Sequence, residues 1–203
     1  MVQRLLAAIV LVAATSACGD VIRQGKAPVV IVVDSFKGAP GGGFGANTFT
    51  DTLRSDVVVN AVSPAPCTPA APCPTIYDDS GQVTMHLAPK DIAIEPTSNN
   101  QVTISRYHVT FRRADGRNTQ GVDVPFGFDG SVTGTIPPTG TVTLSFELVR
   151  HVAKDESPLV QLRTSPNIIN TLADVTFYGT DLVGNAVTAS ASMSIEFGNF
   201  GDQ

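Results

Sequence analysis

The chain has no tryptophan, three tyrosines and ten phenylalanines among 203 residues. A glycan platform built by ring stacking therefore has little to build on. Histidine is scarce too. His86, His108 and His151 have no second His or Cys at ligand spacing, so a metal site has no support in the sequence. No G-x-S-x-G elbow is present; "GSVTG" at 130–134 sets its serine in the wrong place. Charge is sparse at 15%, and 18 acidic residues outweigh 13 basic ones for a net −5. Nucleic-acid binding rests on neutralising phosphates with Lys and Arg, so this balance excludes it as a class. No apolar run approaches the roughly 20 residues that span a bilayer. A convincing 3.6-residue period is also missing, and "NTFTDTLRSD" at 47–56 is the one weak helix candidate. "GGGFGA" after Val29–Asp34 loosely mimics a dinucleotide loop, but no crossover helix follows it. No cofactor is expected.

What is present begins with the first seventeen residues, "MVQRLLAAIVLVAATSA". Arg4, a ten-residue apolar run and small residues follow in the order of a secretory signal. Ser16-Ala17-Cys18 then resembles the lipobox of bacterial lipoproteins. That resemblance implies cleavage before Cys18, which would carry diacylglycerol and a further acyl chain such as palmitate. Thr15 stands where that family usually has Leu, and Thr15-Ser16-Ala17 also suits an ordinary signal peptidase. The second outcome is a soluble periplasmic or secreted protein. Gly19 after the cysteine resembles the signal for transfer to the cell outer membrane. The expected organisation is a signal peptide over 1–17, a short membrane tether over 18–28 and one domain over 29–203. Loss of the first 17 residues, of which only Arg4 is charged, leaves 186 residues with charge −6. From Cys18 to Val29 the tether reaches at most roughly 35 Å.

Three cysteines are an odd number for an exported chain. With Cys18 lipidated, Cys67 and Cys73 remain in "SPAPCTPAAPCPT", and an oxidising compartment favours their disulfide. The bridge would stiffen one proline-rich loop.

From residue 52 onward the hydrophobic period is two. Strands are expected at 29–34, 56–62, 82–87, 101–113, 121–128, 131–136, 141–149, 158–164, 173–180 and 185–197, with a flexible loop at 35–49. In 101–113 the apolar phase shifts from Val102 and Ile104 to Tyr107, Val109 and Phe111, as a bulge near Ser105–Arg106 or a change of sheet would produce. In 185–197 Val187, Ala189, Ala191, Met193, Ile195 and Phe197 alternate with polar residues, which gives one buried face and one wet face. The fold class is all-β: an antiparallel sandwich of about eight to ten strands. "TFYGTDLVGNAVTASASMSIEF" resembles the last hairpin of bacterial immunoglobulin-like and fibronectin-type domains. That family implies an immunoglobulin-like β-sandwich serving adhesion, spacing or ligand presentation.

Candidate site residues are few. Tyr77 sits beside the Pro/Cys loop, where a rigid recognition surface can form. Arg106, Arg112, Arg113 and Arg117 make the one local positive cluster; it reads as contact with anionic headgroups or glycans, or as a solvated edge strand blocking edge pairing. Asp78-Asp79 reads as a solvated acidic turn rather than a catalytic dyad. The expected function is that of a non-enzymatic structural or protein-interaction module of the cell envelope. It would be held at the membrane by its N-terminal lipid and would present loops 35–50 and 63–81 to an envelope protein. The alternatives are a glycan or small-molecule binding module and, third, a hydrolase with a loop-assembled site.

Overall fold

The computed structural model describes residues 25–93 and 95–201. Cys18 and the expected leader and lipidation signal lie outside the described residues. Ten strands lie within them: β1 (Val29–Ala39), β2 (Thr52–Asp56), β3 (Val59–Ala61), β4 (Cys73–Thr75), β5 (Asp79–Pro89), β6 (Val102–Arg112), β7 (Phe128–Ile136), β8 (Thr141–Val149), β9 (Ile169–Asp181) and β10 (Ala186–Gly198). A single turn-and-a-half of helix, α1 (His151–Asp155), follows β8.

One sheet has the order β1-β5-β8 and the other β2-β10-β9-β6-β7; β3 and β4 form a separate ribbon. Neighbours are antiparallel except β2, which runs parallel to β10 from Thr52 beside Ser194 to Asp56 beside Gly198. β1 and β2 are consecutive but belong to different sheets, so the chain crosses between layers at 40–51. Two sheets packed face to face, with the chain switching between them, make an immunoglobulin-like sandwich.

Alternation builds its core. β5 turns Val83, Met85 and Leu87 inward, and β8 turns Leu144, Phe146 and Leu148 inward. They meet Ala173, Val175 and Phe177 of β9 and Met193, Ile195 and Phe197 of β10. Phe146 is central, with its ring 4.8 Å from Tyr107 and 5.2 Å from Phe177. The buried Tyr107 hydroxyl donates to the Glu147 carbonyl at 2.9 Å, so its polar tip is satisfied. Burial raises the Tyr107 pKa, the nearby Glu147 charge adds to this, and the hydrogen bond and Arg150 only partly offset it.

The phase shift in β6 is a bulge. The register slips between Ile104 and Arg106 against both β7 and β9. The extra residue returns Tyr107, Val109 and Phe111 to the inward face of Val102 and Ile104, and all five are buried. At the β9–β10 turn Asp181 accepts from the amides of Val183 and Asn185, and Gly184 takes φ +88°.

Several local expectations are corrected. Segment 47–56 is no helix: Leu53 and Ser55 point inward from β2 at period two. Segment 158–164 is a 3₁₀ turn over Leu159–Thr164, not a strand; Leu159 and Leu162 are buried three residues apart, on the tighter helical period. β1 continues to Ala39, because β5 offers it partners as far as Ser80, so the loop begins at Pro40 rather than at 35. Residues 121–127 form no strand; only Phe128 opens β7. Strand β3 keeps three residues of the expected 56–62.

Register also assigns the poles. Val29 lies beside Pro89 at one end, and Ala39 beside Ser80 at the other. Eleven residues at about 3.3 Å each separate the two ends by ~35 Å. The end of β8 joins the second pole, since Asp79 pairs with Val149. Connections 40–51, 57–78, 113–127 and 150–168 therefore gather at the pole away from Val29.

Candidate functional site

That far pole is pinned by a buried ion pair. Asp79 opens β5, and its side chain points inward because the next inward positions are Gly81 and Val83. The Lys154 Nζ, on α1, lies 2.9 Å from both of its carboxylate oxygens, and each residue is 1% exposed. Ser55 Oγ donates to the same carboxylate at 2.5 Å and the Gly41 amide at 3.1 Å. Burial pushes the Asp79 pKa up; the Lys154 charge and the bonds from Ser55, Lys154 and Gly41 offset only part of it. The expectation of a solvated Asp78-Asp79 turn is thus half wrong. Strand alternation sends Asp78 out and Asp79 in. Ser55 has 0% exposure, so this Ser–Asp–Lys grouping gives a substrate no approach and acts as a tie between β2, β5, α1 and the glycine loop.

Asp78 faces solvent and caps α1. It accepts from the His151 amide at 2.5 Å and lies 2.8 Å from His151 Nδ1. Burial acts to raise its pKa, but these bonds and one from Glu147 outweigh it and the net shift is downward. Glu147 shifts the other way, through burial first and then its hydrogen bond to and repulsion by Asp78. Glu147 therefore holds the shared proton. The ligating atoms of Asp78, Glu147 and His151 lie within 4.8 Å of one another. They are the residues a cation could reach, and sequence spacing hid them because 69 residues separate Asp78 from Glu147.

Above this base sit two stiffened loops. Cys67 and Cys73 are bridged, with 5.3 Å between their Cα atoms, and the bridge closes the β3–β4 ribbon. Tyr77 is half-buried rather than free. Its ring covers Gly42, where a Cβ would come within 2.3 Å of Tyr77 Cδ2. A Cβ on Gly41 would lie 1.9 Å from the Asp78 carbonyl oxygen, so only glycine permits this approach. The Asn47 amide closes the loop by donating to the Pro40 carbonyl at 2.9 Å. Between the loop and the end of β10 lies a cavity of about 330 Å³, lined by Gly42, Phe44, Arg54, Asp56, Phe200 and Gly201. Sequence reasoning missed it, since Arg54 and Phe200 are 146 residues apart.

The arginines of the β6 hairpin are internally paired. Arg112 Nε donates to Asp174 at 2.5 Å, and Arg113 and Arg117 both bond Asp115 at 2.6 and 3.0 Å. The Arg113 bond in particular draws the Asp115 carboxyl well below its ordinary range. Arg106 lies 3.7 Å from Asp129 and covers the Tyr178 ring at 4.0 Å. β6 lies between β9 and β7, so the edge-strand reading is corrected: β6 has neighbours on both sides. His86 and His108 are likewise taken up, by Asp34 at 2.7 Å and Asp129 at 3.1 Å.

The described residues define an all-β sandwich with a stiffened loop pole. Comparison of the chain with family models, curated proteins and solved structures finds no match.

Proposed function

We propose that the protein is an exported, lipid-anchored cell-envelope module that recognises a partner protein through its far pole without catalysing a reaction. The observation that carries this reading is polarity. The segment preceding Val29 leaves from one end, and loops 40–51 and 57–78 sit at the other, ~35 Å away. A tether through Cys18 would hold the first end to a membrane and turn the second outward. These loops are also held in place by the Cys67–Cys73 bridge, the Gly41–Asp79 bond and the Tyr77 ring. Rigid loops lose little entropy on binding, which favours recognition.

The test has two arms. Intact mass of the membrane-extracted protein should equal residues 18–203 plus diacylglycerol or three acyl chains. Cross-linking in envelopes, followed by capture, should recover one partner that is lost when loop 63–72 is replaced by a Gly/Ser linker. An unmodified mass defeats the anchor, and capture indifferent to the loop defeats the interaction reading.

A further inference from the structure

Three guanidinium groups lie over rings in this fold: Arg54 over Phe200 at 4.4 Å, Arg106 over Tyr178 and Arg150 over Phe128. Arg106 has Asp129 within 3.7 Å. Arg150 sits close enough to Glu147 to lower that group's pKa. Arg54 has no carboxylate within 4 Å among the described residues. It stands exposed on β2 with its ring-facing side occupied and its N–H edge turned to the 330 Å³ cavity. Asp56, two residues on, lines the same cavity, but its Oδ1 accepts from the amides of Val58 at 3.3 Å and Phe200 at 3.4 Å. Those bonds fix the ring that orients Arg54. Across the cavity Phe44 is 70% exposed on the glycine loop, an apolar side chain left in water by a loop that is otherwise tied down.

We propose that this cavity binds a small monocarboxylate with an apolar body. The Arg54 fork takes the carboxylate in a bidentate, charge-assisted pair, which suits its planar donors. Phe44 covers the alkyl or aryl body. The volume lies at the small end of ligand sites, which run from roughly 300 Å³ upward. Asp56 on the cavity wall sets the charge preference, since a second negative group on the ligand would meet it. The inference rests on reading the far pole as the recognition surface and adds the chemistry that surface selects.

The experiment is a titration of the full chain with phenylacetate and hexanoate, followed by amide shifts and calorimetry. The neutral analogue 2-phenylethanol and the dicarboxylate phenylsuccinate serve as comparisons. Saturable binding is expected for both monocarboxylates, with shifts centred on Gly42, Phe44 and Arg54. The alcohol and the dicarboxylate should bind at least about tenfold more weakly, the scale of one lost charge-assisted pair. Arg54→Met should abolish binding and Phe44→Ala should weaken it several-fold. Both side chains are exposed, so unchanged melting temperatures will show that the variants fold. Absence of saturation, equal binding of acid and alcohol, or full binding by Arg54→Met overturns the proposal. Partner capture from envelopes is scored separately. Carboxylate binding without capture defeats the interaction reading alone, and capture without carboxylate binding defeats this inference alone.

Discussion

Lys154 Nζ stands 2.9 Å from both oxygens of Asp79, in a part of the sandwich closed to water. Removing one partner leaves the other charge buried and uncompensated. Lys154→Met should cost about 3–5 kcal/mol in denaturant unfolding. Asp79→Asn combined with Lys154→Met should recover much of that loss, because the amide still accepts from Gly41 and no charge remains. A double mutant no more stable than Lys154→Met alone would show that the pair does not act as a unit.

Glu147 gives the pole a pH dependence of known sign. Its pKa is raised in the folded state, so the folded protein holds this proton more tightly than the unfolded chain does. Stability from this group is present below the unfolded carboxylate range and is lost as pH rises through the elevated folded value. Glu147→Gln is neutral at every pH. It should melt higher than the parent at pH 7–8, and the difference should shrink toward pH 4. A constant difference across that range contradicts the assignment.

The loop closed by Cys67 and Cys73 is small. Replacing both by serine should cost about 2 kcal/mol on the loop-entropy account. Far-UV circular dichroism should hardly change, because β3 and β4 form a ribbon apart from the two main sheets. Faster amide exchange should be confined to residues 59–75.

Gly41→Ala places a methyl group where the Asp78 carbonyl stands. The loop must move, and the Gly41–Asp79 bond goes with it. Overpacking of this kind typically costs about 1–3 kcal/mol. The distinguishing readout is local: amide shifts should change over 40–47 and at Arg54, while the β9–β10 turn stays as it was.

Core replacement supplies the scale for these effects. Phe177 is fully buried against Phe146 and Tyr107, so Phe177→Ala should cost about 3–5 kcal/mol by thermal or denaturant unfolding.

The long strands were legible because one face of each is wet. β8 and β10 alternate strictly, and the sequence places their ends within about one residue. The bulge in β6 was legible for the same reason, as a break in phase. Short elements were not. Leu159 and Leu162 in a seven-residue apolar stretch suit a strand as well as a 3₁₀ turn, and only packing under α1 decides. The expected flexible loop at 35–49 failed at its start, because β1 is held by cross-strand partners in β5 that no local pattern announces. The site was least legible of all. Asp79 and Lys154, Asp78 and Glu147, Arg54 and Phe200 each meet across most of the chain, and a sequence window sees only neighbours. Tyr77 was found through its proline- and cysteine-rich surroundings, but its contact with Gly42 needed the fold.

The parallel pairing of β2 with β10 has a mechanical consequence. Val29 enters at one pole and Gly198 leaves at the other, so tension between them would run along the strands. The bonds of β1 with β5, and of β10 with β9 and β2, then lie across the load and share it, instead of opening one after another like a zip. A protein held at its root and pulled at its tip would resist as a clamp, and the short β2 would brace β10 against slipping past the rest of its sheet.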